Sequence, residues 1–139
     1  MKKYKIGYTT GVYDMFHIGH LNILKRAKEQ CQYLIVGVTT DCLCLERKNK
    51  MPIISFSDRC EIVKAIKYVD EVVPQENMDK FEAIRKYHVD VVFVGSDWQG
   101  TPSWLKYEKE FKKLGCDVVY LSHTDGVSST MLREKITQD

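Results

Sequence analysis

The amino-acid sequence predicts an α/β domain built as a doubly wound, parallel five-stranded sheet with helices on both faces. Three observations carry that prediction. Short β-branched runs alternate with segments of helical periodicity along the chain, the pattern of strands joined by crossover helices. The strand runs are nearly continuous in Val, Ile and Leu, as expected of strands covered on both sides. No repeat, low-complexity tract or Pro/Gly-rich linker divides the 139 residues. They read as one domain, residues 1–139, long enough to bury a core without disulfide staples.

Taken in order, Tyr4–Thr9 is the first strand, and Gly19–Gln30 follows as a helix in which Leu21, Leu24 and Ala27 form an apolar stripe beside Lys28,. Tyr33–Thr39 is the second strand. The segment Asp41–Phe56 is rich in charge, contains Pro52, and exceeds the usual strand-to-helix connection, so it reads as a long functional loop. Ser57–Lys67 is then a helix, Glu71–Val73 a strand, Asp79–His88 a helix and Val91–Val94 a strand. Ser103–Leu114 is a helix closed by Gly115, a residue suited to a helix C-terminus,. Val118–Leu121 is the last strand and Ser128–Thr137 the last helix.

Composition narrows the function. The chain is 44% hydrophobic and 29% charged with a formal net charge of +2, too mild to bind nucleic acid or a membrane surface by bulk electrostatics. No apolar stretch approaches the roughly 20 residues of a membrane span, and Met1-Lys2-Lys3-Tyr4 runs straight into a strand rather than a signal sequence. The cytoplasm is the expected location, with neither nucleic acid nor membrane as a partner. Five cysteines at irregular spacing make no disulfide framework. Cys42 and Cys44 lack the two-residue gap of zinc and redox sites, so reduced thiols are expected.

The motifs gather at the C-terminal ends of the strands, where open α/β sheets bind ligands. The first is Gly11-Val12-Tyr13-Asp14-Met15-Phe16-His17-Ile18-Gly19-His20. Two imidazoles straddle a glycine where a helix begins, and a helix start offers free N–H groups and partial positive charge to a phosphate. Gly19 leaves room for close approach to that backbone. The same spacing also occurs in surface histidine pairs, and Asp14 fits a plain turn as well as it fits orienting a histidine or holding a metal-bound water. The second motif is His123-Thr124-Asp125-Gly126-Val127-Ser128-Ser129-Thr130, whose hydroxyls equally suit helix capping. A basic run, Arg47-Lys48-Asn49-Lys50, lies in the long loop, and Gly95-Ser96-Asp97-Trp98-Gln99-Gly100 follows the fourth strand. Asp97 can accept from ribose hydroxyls or a base amino group; Trp98 is assigned to packing.

His17-Ile18-Gly19-His20 resembles the HxGH signature of the nucleotidyltransferase superfamily, and the fuller Gly-x-Tyr-Asp-x-x-His-x-Gly-His resembles its cytidylyltransferase branch. The segment from His123 to Thr130 is similar to the RTxGISTT motif of that branch, with Thr124, Gly126, Ser128, Ser129 and Thr130 matching and His123 replacing the arginine. That exchange removes a planar, permanently charged group. Gly95 to Trp98 resembles the branch's GxDW, and Tyr68 to Pro74 resembles a segment of bacterial glycerol-3-phosphate cytidylyltransferases. The likeness runs from Lys5 to Ile136. It implies a Rossmann-like fold and an enzyme that transfers CMP from CTP to a phosphorylated alcohol, glycerol-3-phosphate first among them, releasing pyrophosphate.

Carried over position by position, the resemblance implies that His17 and His20 stabilise the α- and β-phosphates and that Ser129 and Thr130 cradle the β- and γ-phosphates. Lys50, with Arg47 or Lys48, would hold the acceptor and the departing pyrophosphate. Arg59 would lie near the triphosphate and Lys80 near the acceptor. Val12, Tyr13, Asp14, Ile18, Gly19, Asp97 and His123 complete the implied nucleotide contacts. A divalent cation, Mg²⁺, would accompany the nucleotide without direct protein ligands, and related enzymes imply a homodimer. Two other readings remain: adenylyl transfer from ATP on the same scaffold, and a nucleotide-binding regulatory module that has lost turnover, for which His123 is the hint.

Overall fold

The computed structural model describes residues 2–122. The elements are β1 (Tyr4–Gly11), α1 (Ile18–Gln30), β2 (Cys31–Thr39), α2 (Asp41–Lys48), α3 (Phe56–Lys64), β3 (Glu71–Gln75), α4 (Lys80–Tyr87), β4 (Val91–Gly95), α5 (Pro102–Lys113) and β5 (Asp117–Leu121). All strand pairings are parallel and the order is β3-β2-β1-β4-β5. The chain steps from β1 outward to β3, then returns to the other side of β1 for β4. The direction of winding therefore reverses between β1 and β4, and a crevice opens at their C-terminal ends.

Each face of the sheet has its own core. Leu24 and Ala27 of α1 and Val63 of α3 pack with Leu34, Val36, Val38 and Phe93 on one side. Ile84 of α4 and Trp104 and Phe111 of α5 pack with Tyr8, Ile35 and Val92 on the other. Alternation along β1 and β2 sends successive side chains to opposite cores, which is why β2 is buried over Leu34–Thr39. Gly7 is required where it stands: a Cβ there would lie 2.6 Å from the Phe93 ring and 2.8 Å from the Cys31 sulfur.

The predicted elements among the described residues all form, with ends shifted by up to three residues; the predicted helix Ser128–Thr137 lies outside them. One expectation fails. The segment Asp41–Phe56 is not a single long loop, because its first half is helix α2. Thr40 caps it, its hydroxyl accepting from Leu43 N, and Asn49 closes it in the left-handed conformation. Leu43 and Cys44 are buried beneath it. Pro52 and the surrounding charge hid a short helix whose apolar stripe is only two residues wide. The cysteines of the described residues are free thiols, as expected. No helix among the described residues is long and apolar enough to cross a membrane.

Candidate active site

A cavity of about 470 Å³ occupies the crevice over the ends of β1 and β4, lined by Tyr8 to Tyr13 from the first and Val92 to Gly95 from the second. On one side it meets α1 through His20 and Ile23; on the other it meets α4 and α5 through Lys80, Trp104 and Tyr107.

The α1 side is built by backbone. His17 is the N-cap: its Nδ1 accepts from Gly19 N at 3.1 Å, while the Nδ1 of His20 accepts from His17 N at 3.3 Å. This reciprocal arrangement is a capping box made of two imidazoles. Because each Nδ1 is an acceptor, each neutral ring carries its proton on Nε2 and presents that N–H away from the helix. The rings stack with centroids 3.9 Å apart. Tyr13 approaches His20 edge-on at 5.3 Å and Phe16 tilts against it at the same distance. Burial in this aromatic surround, then the adjacent His17, pushes the His20 pKa down to about 4; burial also lowers that of His17. Both are neutral donors at pH 7. The turn that delivers them is strained: Tyr13 and Met15 have φ of 55° and 50°, a conformation costing about 1 kcal/mol or more for residues with side chains.

Asp14, 3% exposed, holds that turn. Its two carboxylate oxygens accept from Ile53 N and Ile54 N, both at 2.9 Å. Arg59 fixes it from the other side. It is fully buried and donates to the carbonyls of Val12 (2.7 Å), Thr39 (2.8 Å) and Ile54 (2.9 Å) and to Asp41 Oδ1 (2.6 Å). Arg59, expected near a triphosphate, has its hydrogen bonds directed to protein in this structure. A guanidinium with four donors engaged by protein ties the ends of β1 and β2 together, and Asp14, expected as a nucleotide contact, brackets turn and loop.

The basic run divides in the same way. Arg47, in the last turn of α2, lines the cavity. All three cations of the run are exposed, but Lys48, one position further along α2, and Lys50, the expected better match, which lies beyond the helix, do not line it,. Opposite stands Lys80, its ammonium 5.6 Å from the Trp104 ring centre and 5.8 Å from that of Tyr107. Burial, then the nearby Arg47, lowers its pKa. Two cations converging on aromatic walls form a site for an anion. Val12, Tyr13 and Asp97 line the cavity; Gly19 is buried with its N–H bonded to His17, and Ile18 is exposed. Trp98, assigned to packing, is 52% exposed at the cavity wall. His123, Thr124, Gly126, Ser128, Ser129 and Thr130 lie outside the described residues. Sequence reasoning missed Tyr8, Thr10, Met78, Trp104 and Tyr107. A signal existed for two pairs: Tyr8 and Thr10 share a strand face, and Trp104 and Tyr107 share a helix face.

The family model "Cytidylyltransferase-like" matches residues 8–135. A glycerol-3-phosphate cytidylyltransferase of Bacillus subtilis (strain 168) is 39% identical over 129 residues, 92% of this chain and 94% of that protein. An FAD synthase of Thermococcus sibiricus is 37% identical over an alignment of 142 residues, covering 99% of this chain and 96% of that one. Among solved structures, a lipopolysaccharide core biosynthesis protein from Thermoplasma volcanium superposes with a TM-score of 0.71 at 25% identity, over 86% of this chain and 96% of the other. With its winding reversal, paired histidines and cationic cavity in place, the chain belongs to the cytidylyltransferase-like family of nucleotidyl-transferring enzymes.

Proposed function

We propose that the chain transfers CMP from CTP to the phosphate of a small phosphorylated polyol, glycerol-3-phosphate being the best candidate, and releases pyrophosphate. The observation that carries this is the opposition, across one cavity, of the neutral donor His20, against which His17 stacks, and the Arg47–Lys80 pair. An acceptor phosphate held by the two cations attacks the α-phosphorus of the nucleotide in line, and the bond to the bridging oxygen breaks as pyrophosphate departs. The nucleophile is already an anion, so no general base is needed. His17 and His20 donate Nε2–H bonds to phosphate oxygens as charge shifts toward the leaving group. The segment His123–Thr130 and its hydroxyls belong to the nucleotide side of this reading, as does Asp97.

Mg²⁺ would be carried by the triphosphate and supply charge neutralisation. Among the described residues no three His, Cys, Asp or Glu side chains group as metal ligands, and the neutral N–H donors suit phosphate oxygen rather than a cation. The acceptor's own charge is argued by Lys80. Its ammonium already covers the Trp104 and Tyr107 faces that a choline-like acceptor would need. We take the working form as a homodimer, tested by light-scattering mass at micromolar concentration.

A second reading, adenylyl transfer from ATP to a flat acceptor such as flavin mononucleotide, is favoured by the FAD synthase relatives and by the exposed Trp98 at the cavity wall. Pyrophosphate release with CTP or ATP, across glycerol-3-phosphate, phosphocholine, phosphoethanolamine and flavin mononucleotide, decides between them. CTP with glycerol-3-phosphate should be the productive pair. Turnover confined to ATP with the flavin would overturn the first reading, and no turnover with any pair would favour a regulatory module.

A further inference from the structure

Tyr8 is a feature that phosphate chemistry leaves unexplained. It is 6% exposed, yet its side chain lines both the main cavity and a neighbouring one of about 130 Å³ between β3 and α4. Its ring stacks on Tyr87, with centroids 6.2 Å apart. Its hydroxyl hangs over Gly37 of the adjacent strand: a Cβ at Gly37 would come within 2.7 Å of Tyr8 Oη and 3.0 Å of Thr10 Cγ2. Gly37 thus keeps open the space that lets a strand tyrosine carry its hydroxyl to the ligand edge of the sheet. Among the described residues this hydroxyl has no hydrogen-bond partner, whereas the buried hydroxyl of Thr9 and the phenol of Tyr120 each have one. The hydroxyl is therefore left to whatever fills the cavity, water in the free protein and a ligand group when one is bound.

Burial, then Tyr87, raises the Tyr8 pKa to about 12, and neither Lys80 nor Arg47 acts on it. The phenol therefore stays protonated, able both to donate and to accept. Such a group matches a neutral hydroxyl, which both donates and accepts, better than it matches a phosphate.

We infer that Tyr8 is a specificity-determining residue that reads a hydroxyl on the carbon skeleton of the acceptor, while Arg47 and Lys80 hold the acceptor's phosphate. The inference rests on the reading of this cavity under Proposed function, with the acceptor on the α4–α5 side. A site built around an unpaired polar group discriminates against an analogue that lacks the matching hydroxyl.

The test is a cycle between residue and substrate, read as pyrophosphate release from CTP by wild type and Tyr8→Phe with glycerol-3-phosphate and with propyl phosphate, which lacks both hydroxyls. Wild type should prefer glycerol-3-phosphate in kcat/KM. Tyr8→Phe should lose about 5- to 10-fold on glycerol-3-phosphate, the value of one neutral hydrogen bond, through acceptor KM, with the KM for CTP unchanged. It should lose nothing on propyl phosphate, so the preference collapses. Because Phe keeps the ring on Tyr87, the variant should melt with the wild type. Gly37→Ala, which crowds the same hydroxyl, should shrink the preference as well. An unchanged preference in Tyr8→Phe overturns the inference while leaving the proposed reaction standing. Failure of wild type to use glycerol-3-phosphate overturns that reaction, and the inference falls with it unless Tyr8→Phe raises the KM for flavin mononucleotide, the acceptor of the second reading.

Discussion

The two sides of the cavity are held in contrasting ways. On the α1 side each functional nitrogen is fixed by main chain: His17 and His20 exchange bonds with the helix start, Asp14 accepts two backbone N–H groups, and Arg59 gathers three carbonyls. On the α4–α5 side Lys80 rests on aromatic faces and Tyr8 lies over a glycine. Main-chain bonds hold the geometry whatever the neighbouring side chains are, so the α1 side suits the step common to every substrate. Packing contacts change with each substitution, so the α4–α5 side suits discrimination among acceptors. The division explains how relatives named for a cytidylyl transfer and for FAD synthesis can share more than a third of their residues with this chain.

Breaking the main-chain side at Arg59 should produce the largest effect. Arg59→Leu leaves three carbonyls and the Asp41 carboxylate without their donor, and disrupting a buried pair of this kind costs about 3–5 kcal/mol. Urea unfolding should show that loss, and Arg59→Lys should not restore it, because one ammonium cannot reach four acceptors spread over three segments. A loss under about 1 kcal/mol would show that the bracket is dispensable. Next in size is the chemistry. His20→Ala should lower kcat about 10²- to 10³-fold, as for other single transition-state donors, with a smaller change in the KM for CTP. His17→Ala should do the same and also cost about 1 kcal/mol of stability as a lost cap. Near-wild-type turnover in both variants would remove the histidines from the reaction.

How much of this was legible in the sequence follows the same division. Strands and crossovers were readable because β-branched runs and helical stripes are local signals, and the histidine pair was readable because its spacing places both rings at one helix start. The bracing role of Arg59 was not legible because sequence shows a cation but not that Val12, Thr39 and Ile54 converge on it from three segments. Helix α2 was hidden by its shortness, and with it the register that selects Arg47 over Lys48. The α4–α5 wall was missed most completely. Tyr8, Trp104 and Tyr107 look like ordinary core residues in one dimension, and only the winding reversal between β1 and β4 brings them to the same cavity as His20.

On the packing side, Lys80→Met should raise the acceptor KM about tenfold, the order of one charge-assisted contact, and leave the KM for CTP near its wild-type value. Methionine keeps the apolar stem against Trp104 and Tyr107, so the fold should be undisturbed. An equal rise in both KM values would move Lys80 to the nucleotide and erase the distinction between the two sides.

The smallest effect tests whether the α1 side is as enclosed as its contacts indicate. The His20 pKa is pushed down to about 4 by burial and by His17, against an ordinary 6.5. Between those values the unfolded chain binds a proton that the folded chain refuses, so stability must fall as pH drops from 6.5 toward 4, and it is unaffected by this residue above that window. His17, shifted in the same direction, adds to the fall. Carboxylates ordinarily titrate near 4, which leaves the interval from about 6.5 to 5 to the histidines. The melting temperature of wild type should therefore decline between pH 7.5 and 5.5, and His20→Asn, which keeps an acceptor for His17 N but cannot titrate there, should decline less. Pyrophosphate should reduce the wild-type decline, because an anion beside the rings favours the imidazolium and raises the pKa. Identical slopes for wild type and His20→Asn would mean that water reaches the His20 ring, and the contrast between a main-chain-fixed donor side and a packing-fixed acceptor side would then lose its electrostatic half.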